Sequence, residues 1–166
     1  IDQDVNDAYV YSFSADQSSD NEFFTIVGDS ILTRARFNYE IKEFYTLRIS
    51  TQDVGGEIYT RQLVVQVLDA NDAPTAIYLS DSTTYENAVL GTFIGQFSSA
   101  DEDAIDSYTY SFAVGNGDAD NASFTVSNDS LFTNVLFDIN IQNVYHIRLK
   151  SEDVGGLATE EEFTIV

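Results

Sequence analysis

Apolar and polar residues alternate along most of the chain with a period of two. In Tyr108-Thr109-Tyr110-Ser111-Phe112 every second residue is aromatic, and in 145–150 Tyr, Ile and Leu alternate with polar or basic residues. This period places apolar side chains on one face of a β-strand. No segment has the 3.6-residue apolar period of an amphipathic helix. The pattern therefore predicts an all-β protein.

The second feature is an internal repeat. The sequence Asp-Val-Gly-Gly at 53–56 recurs at 153–156, an offset of 100 residues that also aligns Phe24, Phe37, Tyr45 and Arg48 with Phe124, Phe137, Tyr145 and Arg148. An offset of 99 aligns Asp2 and Asp4 with Asp101 and Asp103. So many matches at nearly the same offset indicate equivalent units of about 100 residues.

Turn signals divide the second unit into short strands, as in a β-sandwich. We predict about seven strands there, at 75–80, 91–98, 107–114, 123–126, 130–134, 144–151 and 160–166. The first unit has no counterpart of 75–98. The predicted fold is thus a tandem of seven-stranded Greek-key β-sandwiches, the first lacking its first two strands in this chain.

Composition narrows the class of partner. The 166 residues are 43% hydrophobic and 13% aromatic, which is enough for a packed core. The chain has 28 acidic residues and only seven Lys and Arg, which gives a formal charge of -21. That balance argues against a nucleic-acid or anionic-membrane partner and favours cations. No cysteine is present and no apolar run approaches the roughly 20 residues of a membrane span, so we expect no disulfide, no thiolate zinc site and no membrane insertion.

A polar segment, 69–74, separates two apolar alternating runs in the middle of the chain. It contains Asp69, Asn71, Asp72 and Pro74. Polar residues with proline between two strands are typical of a turn between domains. The segment alone is equally compatible with a plain turn and with a metal site.

Acidic residues recur where strands end. Because strand ends cluster at the two poles of a sandwich, acids far apart in sequence can converge there. Six carboxylates qualify: Glu40, Asp69, Asp72, Asp101, Asp103 and Asp153. Like charges about 4 Å apart repel by roughly 4 kcal/mol at an effective dielectric near 20. Calcium takes six to eight oxygen ligands in irregular geometry, so it fits carboxylates and Asn71 better than zinc does.

These residues resemble the cadherin repeats, and particularly the cadherin-like tandem repeats of large bacterial surface proteins. The segment 69–74 is similar to the family's linker motif DxNDNxP, with Ala73 at the second asparagine. Segment 37–40 resembles its DRE-type motif, with Asn38 at the first acid; 101–103 resembles its DxD motif, and Asp153 its later aspartate. The resemblance implies an immunoglobulin-like topology and two or three Ca²⁺ at the linker, held by Asn38, Glu40, Asp69, Asn71, Asp72, Asp101, Asp103 and Asp153.

The resemblance also implies domain boundaries and further half-sites. We expect a partial repeat at 1–68 (strands C to G), a calcium-binding linker at 69–74 and a complete repeat at 75–166. Residues at the two remaining poles would each form half of a site shared with a neighbouring repeat: Asp2, Asp4, Asp53, Glu86, Asp138 and Asn140.

The function expected from these features is a calcium-dependent adhesion or spacer module, extracellular and either secreted or on the cell surface. Its partners would be neighbouring repeats of the same or an identical chain, with a cell-surface protein or glycan as a further possibility. We expect no enzyme, because the single histidine, His146, falls on the polar face of its strand with no nucleophile nearby in sequence. Two alternatives stay open: a carbohydrate-binding sandwich using aromatics such as Tyr78 or Phe44, although tryptophan is absent, and a filament subunit assembled by strand donation between copies.

Overall fold

A computed structural model describes residues 8–14, 19–103 and 107–166. The predicted half-site residues Asp2 and Asp4 lie outside these ranges. The chain divides into two compact units, Ile1–Ala70 and Asn71–Val166. The two units are described separately below, and the boundaries of the predicted linker stay a prediction.

The first unit has five described strands in two antiparallel sheets. They are β1 (Val10–Phe13), β2 (Phe24–Val27), β3 (Ser30–Thr33), β4 (Phe44–Gln52) and β5 (Ile58–Gln66). One sheet has the order β1-β4-β5, and the other consists of β2 and β3. Apolar residues alternate in β4, at Tyr45, Leu47 and Ile49, and this strand pairs with β5 along the full nine residues of both.

The second unit has seven strands: β6 (Ala76–Leu79), β7 (Phe93–Ala100), β8 (Thr109–Phe112), β9 (Phe124–Ser127), β10 (Ser130–Thr133), β11 (Tyr145–Glu152) and β12 (Ala158–Ile165). The sheets have the orders β6-β7-β10-β9 and β12-β11-β8. This four-plus-three arrangement is that of a constant-type immunoglobulin sandwich. The seven predicted strands are confirmed, with ends that differ by two residues at most.

The segment after β6 joins the two sheets of the second unit. β6 pairs with β7 in one sheet. Beyond it, Val166 donates its N–H to the carbonyl of Ser82 (2.9 Å) and accepts a hydrogen bond from the N–H of Thr84 (2.9 Å). The first strand therefore leaves one sheet and continues beside the end of β12, which covers an otherwise open edge.

The core of the second unit lies between its sheets. It contains nine buried apolar residues: Ile77, Ile94, Phe97, Phe124, Leu131, Phe137, Ile147, Leu149 and Ile165. Three of them come from β6 and β7. Aromatic rings meet edge to face within it; for example, the ring centroids of Phe124 and Tyr145 are 5.9 Å apart.

The core of the first unit is smaller, with Phe24, Tyr45 and Leu47 buried. Among the described residues of this unit, no strand corresponds to β6 or β7, as the sequence predicted. The consequence is visible at one pair of equivalent positions. Ile31 in β3 is 37% exposed, whereas Leu131, its equivalent in β10, is fully buried at 0%. The described residues of the first unit therefore provide no strand over the face that β6 and β7 cover in the second.

A short 3-10 turn in each unit fixes the loop that follows β3 or β10. In the first unit Asp20, just before the turn Asn21–Phe23, accepts hydrogen bonds from the Thr46 N–H (2.8 Å) and from Lys42 Nζ (2.5 Å). Burial works against ionisation of Asp20, but these two hydrogen bonds and the charge of Lys42 outweigh it and lower its pKa. In the second unit Asp120 accepts from the His146 N–H (2.7 Å) and from Gln142. The loops 38–42 and 138–142 are thus held at equivalent places.

Candidate metal centre

The register of β6 and β7 gathers acidic residues at one pole of the second unit. Ala76 pairs with Ala100, and the Thr75 N–H donates to the Ala100 carbonyl (2.7 Å). Because the strands are antiparallel, the residues before β6 lie beside the residues after β7. Those residues are Asn71 and Asp72 on one side and 101–103 on the other.

Hydrogen bonds hold the gathered residues together. The backbone N–H of Asp72 donates to Oδ2 of Asp103 (3.0 Å), and that of Asp103 donates to Oδ1 of Asp101 (3.3 Å). Asn71 donates through Nδ2 to Oδ2 of Asp153 (2.9 Å), which follows β11. Five predicted ligands, one asparagine and four aspartates, are therefore brought together within the second unit.

Asp153 lies in the hairpin loop between β11 and β12 and is 5% exposed. Its Oδ1 accepts the backbone N–H of Leu157 (2.9 Å), while its carbonyl accepts that of Gly156 (3.3 Å). Burial raises the pKa of Asp153, but the hydrogen bonds from Asn71 and from backbone N–H groups outweigh burial and lower it overall. Asp153 is therefore a preformed anion at neutral pH.

Asp101 supplies the observation that tests whether a cation fits. Its Oδ2 is buried and, alone among the buried side-chain nitrogen and oxygen atoms of the described residues, has no hydrogen-bond partner. A buried polar atom without a partner costs free energy, more so when it belongs to a charged group. A cation beside this oxygen would satisfy it. Since every donor gathered here is an oxygen, the set fits Ca²⁺.

Glu102 is a further member of this cluster that the sequence did not single out. One of its carboxylate oxygens lies within 4.8 Å of one of Asp72. Strict alternation would direct it away from Asp101 and Asp103, but 101–103 form a bend rather than a strand. The signal that could have identified Glu102 is its place as the middle acid of the unbroken acidic triplet 101–103.

In the first unit, the predicted ligands lie in a turn and in the segment after β5. A carboxylate oxygen of Glu40 lies within 4.8 Å of one of Asp69. Asn38 accepts the backbone N–H of Ile41 at its Oδ1 (2.9 Å), so this oxygen serves the turn that carries Glu40.

The described half-site residues lie in matching loops. Asp53 accepts the Glu57 N–H at Oδ1 (2.7 Å), as Asp153 does that of Leu157. At the other end of the second unit, Asp138 accepts the backbone N–H of Asn140 at Oδ1 (2.9 Å). The Asn87 N–H donates to the Phe137 carbonyl (3.1 Å). Glu86 and Asp138 are the sequence neighbours of these two hydrogen-bonded residues.

Gly155 gives a test of the contact between Asn71 and Asp153. A Cβ at this position would collide with the amide of Asn71, whereas at Gly55 it would approach only Asp53 of the same loop, at 3.3 Å. Neither glycine has a positive φ, so the two substitutions differ in space and not in backbone strain. We expect Gly155→Ala to weaken calcium binding about tenfold by displacing Asn71, which holds Asp153 in place, because groups that orient a metal ligand typically contribute about 10- to 100-fold to affinity.

The measurement is isothermal titration calorimetry, with Gly55→Ala as the matched control. Gly55→Ala should leave the affinity of the tightest calcium site unchanged. Equal losses in both variants would contradict the assigned role of Asn71.

No helix among the described residues is long and apolar enough to cross a membrane. No family model matches the chain. Its sequence is 34% identical over 120 residues to "Protocadherin Fat 4" of Homo sapiens, covering 69% of this chain and 2% of that protein. It is 27% identical over 160 residues to "Protocadherin gamma-A11" of Homo sapiens, covering 93% of this chain and 17% of that protein. The chain thus spans a small part of these relatives.

Solved structures are similar over nearly the whole chain. "Human Protocadherin-24 EC1-2 Form II" has a TM-score of 0.67 and 23% identity, covering 99% of this chain and 82% of that one. "PcdhgB3 EC1-4" has a TM-score of 0.64 and 18% identity, covering 95% of this chain and 39% of that one. This likeness confirms the predicted all-β fold of immunoglobulin-like sandwiches.

Proposed function

We propose that this chain, whose repeats are homologous to cadherin repeats, is a calcium-dependent adhesion and spacer module of an extracellular protein, secreted or on the cell surface. The observation that carries the proposal is the unpartnered, buried Oδ2 of Asp101 among the oxygens of Asn71, Asp72, Asp103 and Asp153. An all-oxygen cluster of this charge is suited to a hard divalent cation.

The proposed site has ligands on both sides of the linker. The second repeat provides Asn71, Asp72, Asp101, Asp103 and Asp153, and Asn38, Glu40 and Asp69 complete the set from the first. Six carboxylates carry a charge of about -6, so two Ca²⁺ leave about -2 and three neutralise it. We therefore propose two or three ions.

Calcium would act mechanically. Without it, carboxylates about 4 Å apart repel by roughly 4 kcal/mol per pair, which favours a splayed linker. With it, the same carboxylates share cations, and the linker becomes stiff. A chain of such repeats forms a rod whose partners are neighbouring repeats of the same or an identical chain, with a cell-surface protein or glycan as a further partner. The proposal includes no catalytic step.

We also propose where the repeats begin and end, which residues neighbouring repeats share, and which kind of repeat this is. The linker comprises 69–74, between a partial repeat at 1–68 and a complete one at 75–166. Half-sites completed by neighbouring repeats are formed by Asp2, Asp4, Asp53, Glu86, Asp138 and Asn140. The repeats are closest in kind to those of large bacterial surface proteins, although the relatives reported above are human.

Small-angle X-ray scattering tests the mechanical role. With saturating calcium we expect a narrower distribution of dimensions than in chelator, because a cation-filled linker restricts its own bending. Asp72→Ala keeps its backbone N–H but loses a carboxylate, so its calcium and chelator curves should nearly coincide. Scattering from the parent chain that is the same with calcium and with chelator would refute the mechanism.

A second candidate, completion of one repeat by strands from elsewhere, is favoured by the face of the first repeat over which no described strand lies. At that face Ile31 is 37% exposed where Leu131 is buried. This candidate does not compete with the calcium role, since it concerns another surface.

A further inference from the structure

We propose that Asn116 is a site of spontaneous chemical modification, at which the side-chain amide is converted to a carboxylate by attack of the backbone nitrogen of Gly117. The site lies in the loop between β8 and the 3-10 turn Asn121–Ser123 of the second repeat. None of the residues that take part is a proposed calcium ligand, so this proposal and the calcium role can fail independently.

Sequence and backbone together single out Asn116. Of all the asparagines in the chain, only Asn116 precedes a glycine. Glycine has no Cβ, so no side chain at position 117 hinders the approach of its nitrogen to Cγ of Asn116. Both residues lie in a turn, Asn116 is exposed, and the N–H of Gly117 has no hydrogen-bond partner among the described residues. The attacking nitrogen is therefore neither hindered nor already bonded.

Arg148 is placed to promote the attack. Its Nη1 donates to the carbonyl oxygen of Asn116 (3.0 Å), which belongs to the same peptide group as the nitrogen of Gly117. When that nitrogen loses its proton, negative charge spreads onto the carbonyl oxygen, and a donor already aimed at this oxygen stabilises it. The guanidinium is held in place because its Nε donates to Glu160 (2.9 Å). Arg148 therefore favours the deprotonated, reactive form of the peptide group.

The reaction needs no reagent except water. The nitrogen of Gly117 loses its proton and forms a bond to Cγ of Asn116, while the bond from Cγ to Nδ2 breaks and Nδ2 takes up a proton and leaves as ammonia. The resulting succinimide ring then adds one water molecule. Addition at Cγ gives an aspartate, and addition at the main-chain carbonyl gives an isoaspartate, in which the backbone runs through Cγ.

The modification replaces a hydrogen-bond donor by an acceptor. Nδ2 of Asn116 donates to Oε1 of Glu162 in β12 (2.8 Å), and the same oxygen lies 3.5 Å from Nη1 of Arg148. An ionised carboxylate only accepts, so neither product can bond to Glu162, and two like charges this close repel each other. The modification therefore releases the loop from β12.

The test of the site is to incubate the whole chain in mildly alkaline water enriched in heavy oxygen and to locate the incorporated oxygen by peptide mass spectrometry. We expect the label at Asn116 before any other asparagine. Asn128 is the internal control, since it is also exposed and in a turn but is followed by Asp129. Label that appears first at Asn128, or that does not appear at Asn116, would overturn the proposal.

Arg148→Gln tests the promotion of the attack. It should slow the labelling of Asn116 about tenfold in the folded chain, as expected for one lost hydrogen bond from a charged group. In urea, where the contact is absent, it should leave the rate unchanged. Lys150→Gln is the matched control, since it removes a positive charge from the same strand at a residue paired with Glu152 (2.6 Å). Equal slowing in both variants, or no slowing in Arg148→Gln, would overturn the role assigned to Arg148.

Asn116→Asp reproduces the aspartate product and tests the release of the loop. Hydrogen exchange of the Gly115 amide, whose N–H donates to Asp118 (3.0 Å), should become about tenfold faster, because exchange reports local opening. In the background of Glu162→Gln, the new amide can donate to the new carboxylate, so Asn116→Asp should have little effect there. Equal acceleration in both backgrounds would overturn the predicted release.

Discussion

Replacing Asp101 by asparagine should weaken calcium binding at the pole of the second repeat on the order of 100-fold, because affinity follows the charge and number of oxygen ligands. The same substitution should leave the calcium-free repeat as stable as before or more stable. Without a cation, the buried Oδ2 of Asp101 has no partner, and its charge adds to the repulsion around it. Asp101→Asn should therefore lower the melting temperature in calcium and not in chelator.

Calorimetry measures both effects, by titration for affinity and by scanning for stability. Glu160→Gln is the matched control, since it removes one charge from the same repeat at a residue paired with Arg148 (2.9 Å). Its affinity for calcium should be close to that of the parent chain. If both variants lost affinity equally, the overall field of the acidic chain, and not coordination at Asp101, would be responsible.

The sequence was sufficient to identify most acids of this cluster, but it was not sufficient to predict how they are arranged. Asp101, Asp103 and Asp153 could be found because they recur at equivalent positions or resemble known motifs. The unpartnered oxygen of Asp101 could not, because it depends on how the bend at 101–103 folds back. The same bend explains Glu102, whose carboxylate approaches Asp72 although alternation directs it elsewhere.

Equivalent sequence also does not guarantee equivalent surroundings. Asp53 and Asp153 share one loop geometry, each accepting an N–H four residues ahead. Asp153 is nevertheless buried, and Asn71 contacts it from a distance of 82 residues in sequence. Contacts between residues so far apart depend on the register of β6 and β7, which the local pattern does not contain.

For the fold, the two-residue period was sufficient to predict the number of strands in the second repeat. The repeat offset was sufficient to predict that the first repeat lacks two of them in this chain. The course of 80–84 toward Val166 was not predicted, because these polar residues show no period. The 3-10 turns were missed for a similar reason. They are held by long-range side-chain hydrogen bonds such as that of Asn121, whose Oδ1 accepts the Arg148 N–H (2.9 Å) across 27 residues.

The matched pair Leu131→Ala and Ile31→Ala should differ strongly in their effect on stability. Leu131 is fully buried in the core that includes Ile77 and Phe97, so its truncation leaves a cavity and should cost about 2 to 5 kcal/mol. Ile31 occupies the equivalent position without covering strands and remains 37% exposed. Its truncation should cost about 1 kcal/mol or less, as at other partly exposed sites. Denaturant unfolding in chelator, followed by hydrogen exchange in each repeat, measures both losses separately.

A copy of 71–99 placed directly before Ile1 reproduces the spacing of the second repeat, because residue 100 aligns with residue 1. In such an extended chain, the same comparison measures the burial provided by the added hairpin. In the extended chain Ile31 acquires the surroundings of Leu131, and the cost of Ile31→Ala should rise toward the value for Leu131→Ala. The increase depends on apolar burial alone, so it should be the same with and without calcium. A cost that stayed near its original value would show that position 31 is exposed for a reason other than the absence of two strands.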